Sequence, residues 1–414
     1  MFDLASALKA AKSGDTLVIP AGDYGDRTIR RISGLTLDAA SARFRTLVLS
    51  ECTDVELRGV VIDFTPDEAS VSSTSALRVS SSKGVTISGG KISGGLAVAG
   101  VSQDVLPTDP RPGDAILGLP IGRGLTIENS AEVRVRGLEI SNFHKGVVLS
   151  NVAGLAIVGN DVHDVRTSTI VGGNVSTALI AENRLTKARP WKFGGSGDHG
   201  DFIHLWTVPA KQTGPSTDIV IRDNLIDQGE GDAILGIYFD DNRNGLGFAG
   251  VVIEANVILN GNAQGVALEQ VHGVVRDNVM LQTSGTPKQG PSLLLRTGCD
   301  VVVVGNEMPD TYGTVAKAAE GGRYSYNVLR PIAVASAEVL SAVREAWAGE
   351  FRATPGQPDN PPEPPPRDEL REILARRTVV KREPLKTKGR VSIDFKTPAE
   401  SDAFLAAVLA VPQA

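Results

Sequence analysis

The sequence predicts an all-β chain wound as a right-handed parallel β-helix, a solenoid of stacked coils with a base period of about 22 residues. Three observations predict it. An Asn followed two places later by an aliphatic residue recurs at Asn160 (GNDV), Asn183 (ENRL), Asn224 (DNLI), Asn256 (ANVI), Asn278 (DNVM), Asn306 (GNEM) and Asn327 (YNVL), with spacings of 23, 41, 32, 22, 28 and 21. Each Asn follows a short alternating strand such as LAIVG, IVIRD, VVIEA or VVVVG, and another strand (GVVLS, GVALE, SLLLR) lies ahead of that. Glycine is abundant, 45 of 414 residues, and aromatics are sparse at 5%, which suits tight turns around a β-branched core. Strands this short cannot bury their faces alone, whereas stacked coils pack each inward row on the row below. The repeated Asn then forms a ladder of side-chain amides running from coil to coil. A leucine-rich repeat would need a stricter Leu lattice, and an antiparallel sandwich would not repeat at this period.

The elements follow in order. The opening DLASALKAAKSGD predicts a short amphipathic helix with Leu4, Leu8 and Ala11 on one face, capping the first coil. LTLDA, VELRGVVID, VTISGGKIS and VRVRGLEIS keep the strand pattern without the Asn. The solenoid is expected over residues 1–335. Residues 336–352 predict a second amphipathic helix that offers Val339, Leu340, Val343 and Trp347 to the open end of the stack, where strand edges need cover. Residues 353–367 are Pro-rich and predict an extended linker. Residues 368–414 combine the charged helix DELREILARR, a basic run, the strand VSIDF and a last helix started by Thr397-Pro398-Ala399-Glu400. This α/β tail reads equally as a flexible segment or as a docking or oligomerisation module.

A formal net charge of −6 argues against nucleic acid or an anionic membrane as partner. Cys52 and Cys299 cannot frame a disulfide scaffold and are expected buried in strands. The first residues lack a basic segment followed by an apolar run, and no apolar stretch is long enough to cross a bilayer. Synthesis in the cytoplasm is expected.

Insertions point to one face. The longest spacing, Asn183 to Asn224, holds the strand DFIHLW between KARPWKFGGSGDHG and TVPAKQTGPST; DDNRNGLGFAG and QTSGTPKQGPS lengthen the next coils. Loops gathered around one strand column wall a groove. With Ile203/Leu205, Ile237/Phe239, Val266/Leu268 and Leu293/Leu295 inward, one outward column is Trp206, Asp240, Glu269, Arg296 and its neighbour is His204, Tyr238, Ala267, Leu294. At a strand spacing of about 4.8 Å, Asp240 and Glu269 become adjacent carboxylates with Arg296 one coil on. Such a pair yields one acid and one base, while Trp206 and Tyr238 offer flat faces to sugar rings. An alternative register, with Ile234 inward, flips Tyr238 and Asp240 unless a bulge intervenes. Gly-Asp-x-Ile occurs at Asp114, Asp201 and Asp232, a repetition that favours turn capping for these Asp residues. His199 and His204 flank the walled coil as candidate binding and catalytic residues, with a structural role open for both. His144, His163 and His272 read as surface or turn positions. A metal at Asp198, His199, Asp201 and His204 stays open, although no recognised ligand spacing supports it, and so does a Ca2+ among the groove carboxylates.

The stretch DLASALKAAKSGDTLVIPAGDY, with its amphipathic helix, Gly-Asp turn and strand ending in Gly-x-Tyr, resembles the start of the pectate-lyase-like superfamily of right-handed β-helices. Together with the coils, the resemblance spans roughly residues 1–330. It implies polysaccharide binding along the strand face, in a family of lyases, hydrolases, epimerases and virus tailspikes. A hydrolase would use Asp240 and Glu269; a lyase would use Arg296 at a sugar carboxylate with His204 or Tyr238 as base. The full hydrolase set of Asn-Thr-Asp, Asp-Asp and Arg-Ile-Lys is not found, nor is the epimerase Asp-Pro-His. The expectation is therefore a glycan-binding, glycan-cleaving protein in the setting of a virus tailspike or depolymerase. The alternative is a non-catalytic spike, fibre or adhesin, trimeric and docked through its tail.

Overall fold

A computed structural model describes residues 2–67, 69–95, 120–190, 192, 193, 196–285, 289–315, 324, 325, 327–330 and 332–350. These belong to the first of two units, Met1–Leu370, into which the chain divides. The expected linker and tail module, residues 353–414, lie outside the described residues, as does Asp114.

All the described strands but one short pair form a single parallel sheet that winds on itself. Three strands make a coil in the central part: Asp201–Trp206, Ile219–Arg222 and Leu225–Asp227, then Leu235–Asp240, Phe248–Glu254 and Val257–Asn260, then Gln264–Leu268, Val271–Arg276 and Val279–Gln282. Each pairs in parallel with its equivalent in the next coil, as in Ile203↔Ile237↔Val266 and Ile221↔Ile253↔Val275. The inward rows of Ile, Val, Leu and Phe fuse into one continuous core. The coils before Asn160 join the same stack, Thr36 pairing with Glu56 and Glu56 with Thr86. An antiparallel pair, Lys192–Phe193 with Ser196–Gly197, sits in the long insertion.

The expected Asn ladder is continuous. From Asn160 to Asn327 each Nδ2 donates to the Oδ1 of the next Asn at 2.8–3.0 Å. Each Oδ1 from Asn183 onward also accepts the backbone N–H of the preceding ladder Asn. Ladder residues 183 to 306 are fully buried. The residue before each of the first six turns the corner in the left-handed region: Gly159, Glu182, Asp223, Ala255, Asp277 and Gly305, with φ between 52° and 68°. Such a corner takes one residue per coil, so the strands on either side stay in step.

Both ends carry helices. Leu4–Ala10 is N-capped by Asp3, which accepts the Ser6 N–H, and Leu4 is buried with Phe2, Leu8 and Ala11 against the core. The second helix, Ala337–Glu350, corrects the expectation. It buries Leu340, Val343 and Trp347, but Arg344 pairs with Asp227 at 2.7 Å and Trp347 Nε1 donates to the Asp223 carbonyl. The chain entering it is fixed by the Ala335 N–H on the Gln282 carbonyl. It therefore reaches back to the coil of Asp223 and Asp227, on the flank of the stack. The cysteines also depart from expectation: both sit at corners outside strands, Cys52 buried and Cys299 half-buried.

Candidate functional site

The register places the outward columns as alternation requires. His204 pairs with Tyr238 and Trp206 with Asp240, while Phe239 pairs with Leu268 and Leu268 with Leu295. The Glu269 N–H reaches the Phe239 carbonyl and the Arg296 N–H the Leu268 carbonyl, which brings Glu269 beside Asp240 and Arg296 beside Glu269. The competing register fails for a local reason. Ile234 is indeed buried, yet so is Ile237, and one coil earlier Phe202 and Ile203 are both in the core. The strand bends there, and alternation restarts with Ile203 and Ile237 inward. The bend also sets a third column beside these two, Arg123, Lys145, Ser168, Asp201, Leu235 and Gln264, in which Ser168 and Asp201 are buried and the others half-buried.

The side chains interlock across coils. The His204 ring stacks on Tyr238 at 4.7 Å and meets Trp206 edge-on at 5.2 Å; Arg296 lies 4.9 Å over the Tyr238 ring. Arg296 also donates to the Tyr238 hydroxyl at 2.8 Å and to Gln264 Oε1 at 3.2 Å. Trp206 folds back over Gly173, where a Cβ would collide with its Nε1 and with Val208. Asp201 does not cap a turn as expected: its carboxylate lies 3.1 Å from His204 Nδ1. His204 Nε2 is shielded, without a hydrogen-bond partner, 3.8 Å from Asp240.

Burial, a hydrogen bond with Asp240 and the Asp240 charge all push the Glu269 carboxyl above the usual range, against the opposing pull of Arg296. Burial and the Asp240 charge push the Tyr238 phenol up to about 12, so it stays neutral and keeps its proton. The cluster thus holds a carboxyl biased toward its acid form next to a second carboxylate, on a ledge of rings closed by a cation. His199 is exposed before the strand and makes no contact with this cluster.

Two loops border the cluster. Asp241, fully buried, accepts the N–H groups of Gly245, Leu246 and Gly247 and the Thr207 hydroxyl, fixing the 241–247 loop against its neighbour. Lys211 reaches back to Ser150 and its carbonyl accepts from Asn174. On the other side Asp198 of the long insertion pairs with the buried Arg166 at 2.6 Å, with His144 3.8 Å away. His144 is therefore no bland turn residue, and burial pushes its imidazole down. His163 is half-buried against Asp164, and His272 is exposed. No group of three or more His, Cys, Asp or Glu among the described residues is placed to hold a metal. No helix among the described residues is long and apolar enough to cross a membrane.

Residues 123–308 match the family of right-handed β-helix regions. The described residues fold as a right-handed parallel β-helix. Among solved structures, this β-helix is similar to PfbA, a surface adhesin of Streptococcus pneumoniae, at 12% identity over 73% of this chain and 85% of that one, with a TM-score of 0.51. A mannuronic-acid-specific polysaccharide family 6 lyase from human gut microbiota matches at 11% identity over 90% and 95% of the two chains, with a TM-score of 0.38. Alginate lyase from Paenibacillus sp. str. FPU-7 matches at 13% identity over 73% and 91%, with a TM-score of 0.30. Likeness at this level speaks to the fold alone. No curated protein matches the chain in sequence.

Proposed function

We propose that the β-helix binds a polysaccharide along its outward strand columns and cleaves glycosidic bonds with Glu269 as acid and Asp240 as base or nucleophile. The observation that carries this reading is the placement of Asp240 and Glu269 on adjacent coils, with burial and the neighbouring Asp240 holding the Glu269 carboxyl toward its neutral form. Backbones one coil apart, about 4.8 Å, suit a retaining double displacement better than the wider gap of inversion. Trp206, Tyr238 and Arg296 supply apolar faces and polar edges for sugar rings on either side. A lyase using Tyr238 as base fits less well, because its phenol resists ionisation.

Incubation with a panel of bacterial polysaccharides, following reducing ends and ultraviolet absorbance of unsaturated ends, tests the reading. Reducing ends without absorbance are expected. Glu269→Gln and Asp240→Asn should each lower the rate by roughly 10²–10⁴-fold, and wild-type activity should fall as pH rises through the Glu269 value. Unsaturated ends would instead mean a lyase, and binding without cleavage an adhesin. Full activity in both variants would remove the carboxylate pair from the mechanism.

A further inference from the structure

Upstream on the same face, two cations stand together, and among the described residues neither is in ion-pair contact with a carboxylate. Arg123 and Lys145 are register partners on adjacent coils in the third column, which the strand bend sets beside the outward two. Both are half-buried, and the Arg123 Nε is shielded from solvent with no hydrogen-bond partner. Among the described residues no hydrogen bond or ion pair engages either head group. The carboxylates nearby are committed elsewhere: Glu128 to Arg78, Asp198 to Arg166 and Asp201 to His204. Burial and the Arg123 charge push the Lys145 ammonium down against the pull of Asp201 and Asp198, and burial pushes the Arg123 guanidinium down against the pull of Glu128.

Half-burying two like charges side by side costs stability unless something neutralises them. A guanidinium offers forked donors to an oxyanion and an ammonium adds a compact point charge. Ser75 and Ser168 flank the pair in the same column. Lys145 lies two coils before Trp206, roughly 10 Å along the stack, so one polymer on this face spans both places. We propose that Arg123 and Lys145 form a subsite for an oxyanion carried by the bound polymer, a sugar carboxylate or sulfate ester, which makes the substrate an acidic polysaccharide. This rests on the glycan-binding reading above, but the site can be tested apart from it.

The test compares wild type with Lys145→Met, Arg123→Met and Lys145→Arg. Thermal melts in sodium glucuronate or sodium sulfate, against sodium chloride of equal ionic strength, probe the site without any polymer. The wild-type midpoint should rise in at least one of the two anions, and which one distinguishes carboxylate from sulfate. Both Met variants should lose that rise, while Lys145→Arg keeps it. In chloride the Met variants should melt no lower than wild type, because a repulsive charge has been removed. Titration with polygalacturonate, dextran sulfate and dextran then reads the polymer: both Met variants should weaken binding of the preferred polyanion at least tenfold. Equal anion response in wild type and Met variants, or none in wild type, overturns the subsite even if Glu269-dependent cleavage is found. An anion response confined to wild type and Lys145→Arg upholds it even if cleavage is absent.

Discussion

At Glu269, burial and the Asp240 charge act in the same direction, and stability should register it. A carboxyl whose folded value is raised is neutral in both states below its unfolded value of about 4.5, so it costs nothing there. As pH rises through the raised folded value, the native state resists an ionisation that the unfolded chain accepts freely, and stability is lost. Glu269→Gln removes that loss. Its melting point should match wild type in acid and exceed it increasingly toward neutral pH; a gap that stays constant with pH would contradict the shift. Trp206, Tyr238, Asp240, Glu269 and Arg296 were legible in the sequence because their inward neighbours are all aliphatic or Phe. Asp201, Lys145 and Arg123, each the first residue of its strand, were not, because alternation breaks directly after them. Phe202 and Ile203 point inward in succession, which no period-2 pattern reveals.

Among the elements, the corner before each ladder Asn sets the coil, and two substitutions should act there in opposite senses. Asn256 accepts from Asn224 and donates to Asn278 and to the Ile221 carbonyl, wholly out of solvent. Asn256→Ala orphans those partners and should cost about 2–4 kcal/mol by denaturant unfolding. Ala255 holds φ 52° with a Cβ, so Ala255→Gly should gain about 1 kcal/mol in the same experiment. A neutral Asn256→Ala would mean that water replaces the amide. The Asn row was plain from its period, yet two shorter rows escaped notice. Asn129, Asn151 and Asn174 link on the surface, and the Ser82 and Ser130 hydroxyls accept the N–H groups of Cys52 and Ser82. Two or three members are too few for a period to stand out.

For the whole molecule, each coil touches mainly its two neighbours, so stability is close to a sum of adjoining terms. The Ala337–Glu350 helix breaks that rule by bridging coils from Gln282 back to Asp223. Arg344→Met leaves the buried Asp227 carboxylate without its cation and should release the helix by about 1–2 kcal/mol. Hydrogen exchange should quicken in the helix while the central strands stay protected; uniform quickening would show that the helix is integral to the stack. The existence of this helix was legible from its apolar stripe, but its resting place was not, because that stripe fits the flank of a solenoid as well as its end. A last consequence follows from the amides between Asn160 and Asn327, each of which splits its two donors between the neighbouring coils, while every Oδ1 from Asn183 onward accepts from the lower-numbered one. Aligned head to tail, their small dipoles add as peptide dipoles do along a helix. The interior of the solenoid therefore has an electrical polarity, with its two poles of opposite sign at opposite ends of the row.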